Sequence, residues 1–166
     1  MKKFFFCIIL FFNFSNVLSE ETIHFLDIEF ILNNSNSGKI IIEELEKINS
    51  KNISELKIQE EELKNLENNI SKVKNIISEE ELQNKVENLK KKITLYRNQK
   101  DKKSKEFNNF REKKLKDFFQ RITPIIEEFM KKNSIPIIMD KKNIFIANSK
   151  YDITNNIIEL LNKLEK

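Results

Sequence analysis

The sequence predicts a mainly α chain (α+β): a long antiparallel helical coiled-coil hairpin projecting from a small β-containing body through which copies associate. Three observations predict it. Of 166 residues, 34% are charged, one is Gly and none is Trp. That composition suits long helices rather than a sandwich or barrel, which needs turn residues. Apolar residues recur at helical spacing from Ile41 onward, settling into alternating steps of three and four, the spacing of a coiled-coil seam. The spacing breaks between Ile77 and Leu82, where the chain carries a helix-start signal.

The first residues are of another kind. Lys2 and Lys3 precede the apolar run Phe4–Phe12, and the mixed stretch Asn13–Glu20 follows. This is the pattern of a secretory signal peptide over residues 1–19, with cleavage after Ser19 and Val17 at the −3 position. The run is short of the ~20 residues a spanning helix needs; an uncleaved signal anchor is the competing reading. The sole cysteine, Cys7, lies in the run without a lipoprotein context, so cleavage leaves no thiol for a disulfide or a metal. Losing Lys2 and Lys3 lowers the formal net charge from +4 to +2. Export also places the protein where ATP is absent, which disfavours an ATP-driven mechanism.

Thr22–Asp27 reads as a short strand with Ile23, Phe25 and Leu26 toward a core. Ile28–Lys39 holds one helical turn and a polar break. Gly38, the sole Gly, falls in that break and implies unusual backbone angles or close packing. A helix is predicted from Ile41, with its stripe at Ile41, Leu45, Ile48, Leu56, Leu63, Leu66, Ile70, Val73 and Ile77. A second stripe runs through Leu82, Val86, Leu89, Ile93 and Tyr96. Continued, it meets Lys100, Lys103, Phe107 and Phe110, then slips phase to Phe118, Ile122, Ile125 and Phe129.

The step from Ile77 to Leu82 cannot be crossed in phase by one rod. Ser78 and Glu81 form a capping box, with Ile77 and Leu82 as its hydrophobic staple. Glu79, Glu80 and Glu81 suit the positive end of a new helix. Ile77, Ser78, Glu81 and Leu82 therefore mark the tip of a hairpin. Folding back about it pairs Ile77 with Leu82, Val73 with Val86, Ile70 with Leu89, Leu66 with Ile93 and Leu63 with Tyr96, all in one register. The same register sets Gln59 against Lys100 and Asn52 against Phe107, a weakly zipped middle that could bend. Pro124 is expected to kink or restart the returning helix, with Thr123 capping the last segment.

Ile135–Asp140 reads as a strand, Lys141–Asn143 as a turn and Ile144–Asn148 as a second strand. A closing helix follows, with Asp152 as N-cap and Ile157, Ile158, Leu160, Leu161 and Leu164 inward. The body is thus residues 20–44 and about 115–166, and the arm 45–114. So small a body with exposed strand edges is expected to self-associate. Its candidate contact residues are Ile23, Phe25, Ile137, Ile138, Ile144 and Ile146.

Catalytic chemistry is not visible. His24 is the only histidine and sits in a predicted strand, where a structural role is expected. One Gly precludes a glycine-rich phosphate loop, and no His/Cys metal set exists, so no cofactor and no enzyme activity are expected. The sequons at Asn52 and Asn69 lie on predicted helices and read as chance matches. From Lys85 to Lys105 there are nine basic residues and two acids. Lys85, Lys90, Lys91, Lys92, Arg97, Lys100, Lys102, Lys103 and Lys105 would attract acidic polypeptides or anionic lipid head groups, or serve only as a solubilising face. Nucleic acid is a poor partner for an exported chain of small charge. Phe107 and Phe110 are candidate contacts for a client, against a reading as core at the arm's base.

"TIHFLDIEFILNNSNSGK", Thr22–Lys39, resembles the opening of Skp/OmpH-family periplasmic chaperones: a strand ending in Asp27, a helical turn, and the Ser35-x-x-Gly38-Lys39 break before a long helix. "IPIIMDKKNIFIANSKYDIT", Ile135–Thr154, resembles the family's closing hairpin and helix cap, including Asp140 and Asp152-Ile153-Thr154. The lysine-rich hairpin between them also fits. The resemblance implies a homotrimer with three arms around a cavity, and an ATP-independent holdase for unfolded outer-membrane proteins. The chain departs from the family's strongly basic members in its small net charge. The alternative is an exported coiled-coil tether held by an uncleaved anchor.

Overall fold

In the computed structural model, which describes residues 22–164, the chain runs β1 (Ile23–Leu26), α1 (Ile28–Asn34), α2 (Asn36–Val73), α3 (Glu79–Asn133), β2 (Ile137–Asp140) and α4 (Thr154–Leu164). The span 1–19, expected to be a signal peptide, lies outside the described residues.

Side-chain caps cut the first helices. Asp27 Oδ1 accepts from the Phe30 amide at 2.9 Å and starts α1. Ser35 ends α1, and its Oγ accepts from the Gly38 amide at 3.2 Å to start α2. Helix α2 therefore begins at Asn36, ahead of the apolar periodicity from Ile41, because a cap rather than a stripe fixes its first turn. Gly38 sits where a Cβ would lie 1.9 Å from the Leu32 carbonyl oxygen. Its φ is not positive, so close packing is the reason for the glycine.

Helices α2 and α3 run antiparallel as the arm. At its tip, Ser78 is extended (φ −68, ψ 156) and its Oγ accepts from the Glu81 amide at 3.2 Å. The Glu81 carboxylate meets Lys85 Nζ at 3.3 Å, so the outward half of the capping box is replaced by an exposed ion pair. Helix α3 is 55 residues long, about 80 Å at 1.5 Å per residue, and continues through Pro124. The expected restart does not occur. The Thr123 hydroxyl donates to the Phe119 carbonyl at 2.7 Å instead of capping a new segment. Pro124 lies on the exposed side, where water can serve the Gln120 carbonyl that lost its amide partner, while Phe118 and Ile122 hold the opposite side in the core.

The sheet departs from the predicted hairpin. β1 and β2 pair in parallel, Ile23 opposite Ile137 through Leu26 opposite Asp140. A bridge from Phe25 to Asp152 adds a third extended segment, with the Ile153 amide donating to the Phe25 carbonyl at 2.9 Å. The expected strand Ile144–Asn148 does not form. A 3₁₀ turn at Lys141–Asn143, closed by the Ile144 amide on the Lys141 carbonyl, turns the chain away from β2.

Each extended segment closes on an aspartate that caps the next turn. Asp140 accepts from the Lys142 amide at 3.2 Å, and Asp152 from the Thr154 amide at 3.0 Å and its hydroxyl. Lys141 Nζ lies 3.5 Å from Asp152 and 3.9 Å from Asp27, and Lys142 Nζ lies 2.9 Å from Asp140. The Lys142 hydrogen bond holds the Asp140 carboxyl below the ordinary aspartate range. Burial pushes Asp152 up, but the bonds from Thr154 and the nearby Lys141 outweigh it and hold it low.

The core joins body and arm base: Leu26, Ile31, Ile41, Leu45, Phe118, Ile122, Ile153, Ile157 and Leu161 are buried together. Two expected inward residues face out. Ile23 is 50% and Leu164 68% exposed, at the ends of their elements where none of the described residues covers them.

Two outcomes test this packing. Gly38→Ala is expected to cost about 3 kcal/mol in denaturant unfolding, because backbone must move to admit the methyl. Since Asp140 and Asp152 are held low, their contribution is complete above the ordinary aspartate value of 3.8 and is lost as pH falls through their lowered values. Asp152→Asn should flatten that acid limb in a series of melting curves from about pH 6 to pH 2.

Candidate functional site: the arm and the uncovered sheet face

Along the arm, solvent surrounds both helices except at one stripe. Leu63, Leu66, Ile70, Val73 and Ile77 of α2, and Leu82, Val86, Leu89, Ile93 and Tyr96 of α3, are half-buried among exposed neighbours. These are the residues whose spacing predicts the seam. Polar cross-links fix the register toward the base. Gln59 Nε2 donates to Gln99 Oε1 at 3.0 Å. Lys103 Nζ meets Glu55 at 2.5 Å and Asn52 at 3.2 Å, and Lys114 meets Glu44 at 2.6 Å. Two expected pairings are corrected: Gln59 meets Gln99 rather than Lys100, and Asn52 meets Lys103 rather than Phe107. Lys100 keeps its charge in water, whereas Lys103 lays its stem in the seam and reaches two acceptors.

The basic stripe is therefore not uniform. Lys85, Lys91 and Lys102 pair with Glu81, Glu87 and Glu106 one turn away, all at exposed positions where such pairs contribute little. Lys103 has a side chain only 17% exposed and is engaged with Glu55, whose carboxyl it holds below the ordinary range. Lys90, Lys92, Arg97, Lys100 and Lys105 are exposed and enter no ion pair among the described residues. Their charges face solvent. Phe107 and Phe110 are half-buried against the core, and Lys114 Nζ lies 5.3 Å from the Phe110 ring centre. Within one chain they belong to the arm's base.

The second surface is on the body. Strand alternation puts Ile23, Phe25, Ile137 and Met139 on one face of the sheet. Phe25 is buried, but Ile23, Ile137 and Met139 are 50%, 51% and 38% exposed. Ile138 turns the other way, toward the core. Beyond the 3₁₀ turn, Ile144 is half-buried, while Phe145 and Ile146 are 102% and 84% exposed. Among the described residues β2 pairs only with β1. Exposed aliphatic and aromatic residues thus cluster beside an open strand edge, which makes this face a candidate interaction surface. The sequence reading missed Met139 and Phe145. Met139 was legible from the period of two with Ile137. Phe145 lies in Ile144–Asn148, the expected strand that does not form.

His24 accounts for itself structurally. Its Nδ1 lies 3.2 Å from the Thr22 carbonyl, and its ring meets Tyr151 edge-on at 5.5 Å. Among the described residues no group of His, Cys, Asp and Glu could hold a metal, and no helix is long and apolar enough to cross a membrane.

Comparison with known proteins places this geometry. A family model described as outer membrane protein (OmpH-like) matches residues 22–161. Six solved chains match the structure. One is the crystal structure of a candidate outer membrane chaperone (OmpH-like) from Caulobacter crescentus CB15, with a TM-score of 0.72 at 19% identity, covering 86% of this chain and 84% of that one. At that identity the likeness shows the fold. No curated protein matches the sequence significantly.

Proposed function

The chain belongs to the OmpH-like family, and on that premise we propose that it is an ATP-independent periplasmic holdase that binds unfolded outer-membrane proteins and keeps them from aggregating in transit. The observation that carries the reading is the pairing of a solvent-surrounded arm with an uncovered apolar sheet face at its base. The reading includes export, with the signal peptide removed near Ser19.

In this reading three copies associate through Ile23, Ile137, Met139, Phe145 and Ile146, with the Ile144–Asn148 segment completing a sheet edge between chains. Ile138 is left to its own core and Phe25 is covered already. Association places three arms around one cavity. Many weak contacts from three arms hold a client by avidity without a tight site. Lys90, Lys92, Arg97, Lys100 and Lys105 speed the encounter with acidic client segments, and the same charges make anionic lipid head groups a secondary partner. Release needs no energy source, because a client that folds into the membrane buries the segments the arms were holding.

The test uses residues 20–166 and an unfolded β-barrel membrane protein diluted from urea. Light scattering without ATP is expected to stay low at one assembled trimer per client. Scattering as strong as in its absence would remove the holdase reading.

A further inference from the structure

Helix α3 carries a second apolar stripe, on the side turned away from the core. Phe118 and Ile122 hold the core side at 1% exposure each. On the other side Leu115 is half-buried, Phe119 is 40% exposed, and Thr123 and Pro124 are exposed. With Gln120 they line an open groove of about 670 Å³.

Scattered exposed apolar residues need no explanation, but two features set this stripe apart. The first is its spacing. Leu115, Phe119 and the Thr123–Pro124 pair follow one another at steps of four residues, about 6 Å per step at 1.5 Å per residue. An extended chain puts side chains on one face at every second residue, about 6.7 Å apart. The second feature is the proline. Pro124 has no N–H, so the Gln120 carbonyl in the groove lacks its helical donor. The Thr123 hydroxyl does not replace that donor, because it bonds the Phe119 carbonyl at 2.7 Å.

We propose that this stripe is a binding site for an extended, unfolded polypeptide segment whose apolar residues alternate. Alternate side chains of the segment seat on Leu115, Phe119 and Pro124, and one of its backbone N–H groups donates to the Gln120 carbonyl. An unfolded segment has amides to offer, whereas those of a folded partner are bonded already. Size points the same way. The stripe is about 14 Å long and one helix wide, on the order of 150 Å², against roughly 800 Å² that each partner brings to a stable interface. It holds about four residues of extended chain and not a folded copy. Glu112, Lys116 and Glu127 border it with charges of both signs, so the segment needs no charge of its own. Under the holdase reading, on which this clause alone rests, the segments are strands of an unfolded β-barrel, whose residues alternate in this way.

The test uses residues 20–166, which lie beyond the sole cysteine, Cys7, with Gln120→Cys as a probe of the groove. Two uncharged peptides of one composition are added, leucines alternating with threonines in the first and gathered in a block in the second. Without peptide, the thiol is expected to react with a maleimide at the rate of an exposed cysteine. The alternating peptide should protect it at about a fifth of the concentration the block peptide needs. Phe119→Ser in this background should raise that concentration about tenfold. Pro124→Ala should raise it about fivefold, by giving the Gln120 carbonyl a helical donor, while also raising the thermal unfolding midpoint. A thiol already slow without peptide would mean that a second copy covers the stripe. That result, equal protection by both peptides, or indifference to both substitutions would overturn the proposal. Light scattering decides the holdase reading separately: low scattering with no peptide protection removes this site alone.

Discussion

The molecule depends on one narrow contact, the stripe along which α2 and α3 face each other. Neither helix has another partner over most of the arm, so this stripe alone offsets the entropy of ordering two long segments. Half-burial of each residue contributes modestly, at roughly 25 cal/mol per Å² of apolar surface removed from water. The contact therefore holds only if it is continuous and anchored. The anchors are local and chemical. Ser78 starts the return helix at the tip. At the base, Phe118 and Ile122, both 1% exposed, tie the returning helix to Ile31, Ile41 and Ile157. Gly38 lets α2 leave α1 at a distance no side chain would permit.

The same economy leaves the body incomplete. Its core is shared with the arm's base, and its sheet is two short parallel strands with one bridge. Parallel pairing ordinarily needs both faces covered. Here one face rests on the helices and the other shows Ile23, Ile137 and Met139 to solvent. The aspartates ending each extended segment, with Lys141 and Lys142 among them, order one end of the sheet without adding apolar cover. A surface of this kind is a reason for copies of the chain to meet, and arms held by both ends at such a surface would enclose a space between them.

Much of this was legible in the sequence, for reasons that separate the hits from the misses. The seam and the tip rest on short-range rules, a repeat of three and four and a serine that accepts the amide three residues on. The resemblance to the Skp/OmpH family was read from the Gly38 break and the Asp140 and Asp152 segments, and the family match covers both. The failures depend on distant partners. Alternation in Ile144–Asn148 indicates a strand hairpinned to Ile135–Asp140, but the 3₁₀ turn at Lys141–Asn143 carries the segment away from β2, whose pairing with β1 is settled by a distant part of the chain. The parallel union of β1 with β2 joins segments more than a hundred residues apart, which no local pattern encodes. Pro124 passes unbroken because its exposed side tolerates a missing bond. Lys103 falls both on the continued seam and in the basic stripe, and sequence does not show that its stem lies inward with the ammonium on Glu55 and Asn52.

The central claim is that the uncovered sheet face holds several arms on one base. Sedimentation equilibrium of residues 20–166 at low micromolar concentration tests it most directly. The account predicts a mass three times that of the single chain. A single-chain mass, unchanged as concentration rises, would contradict it.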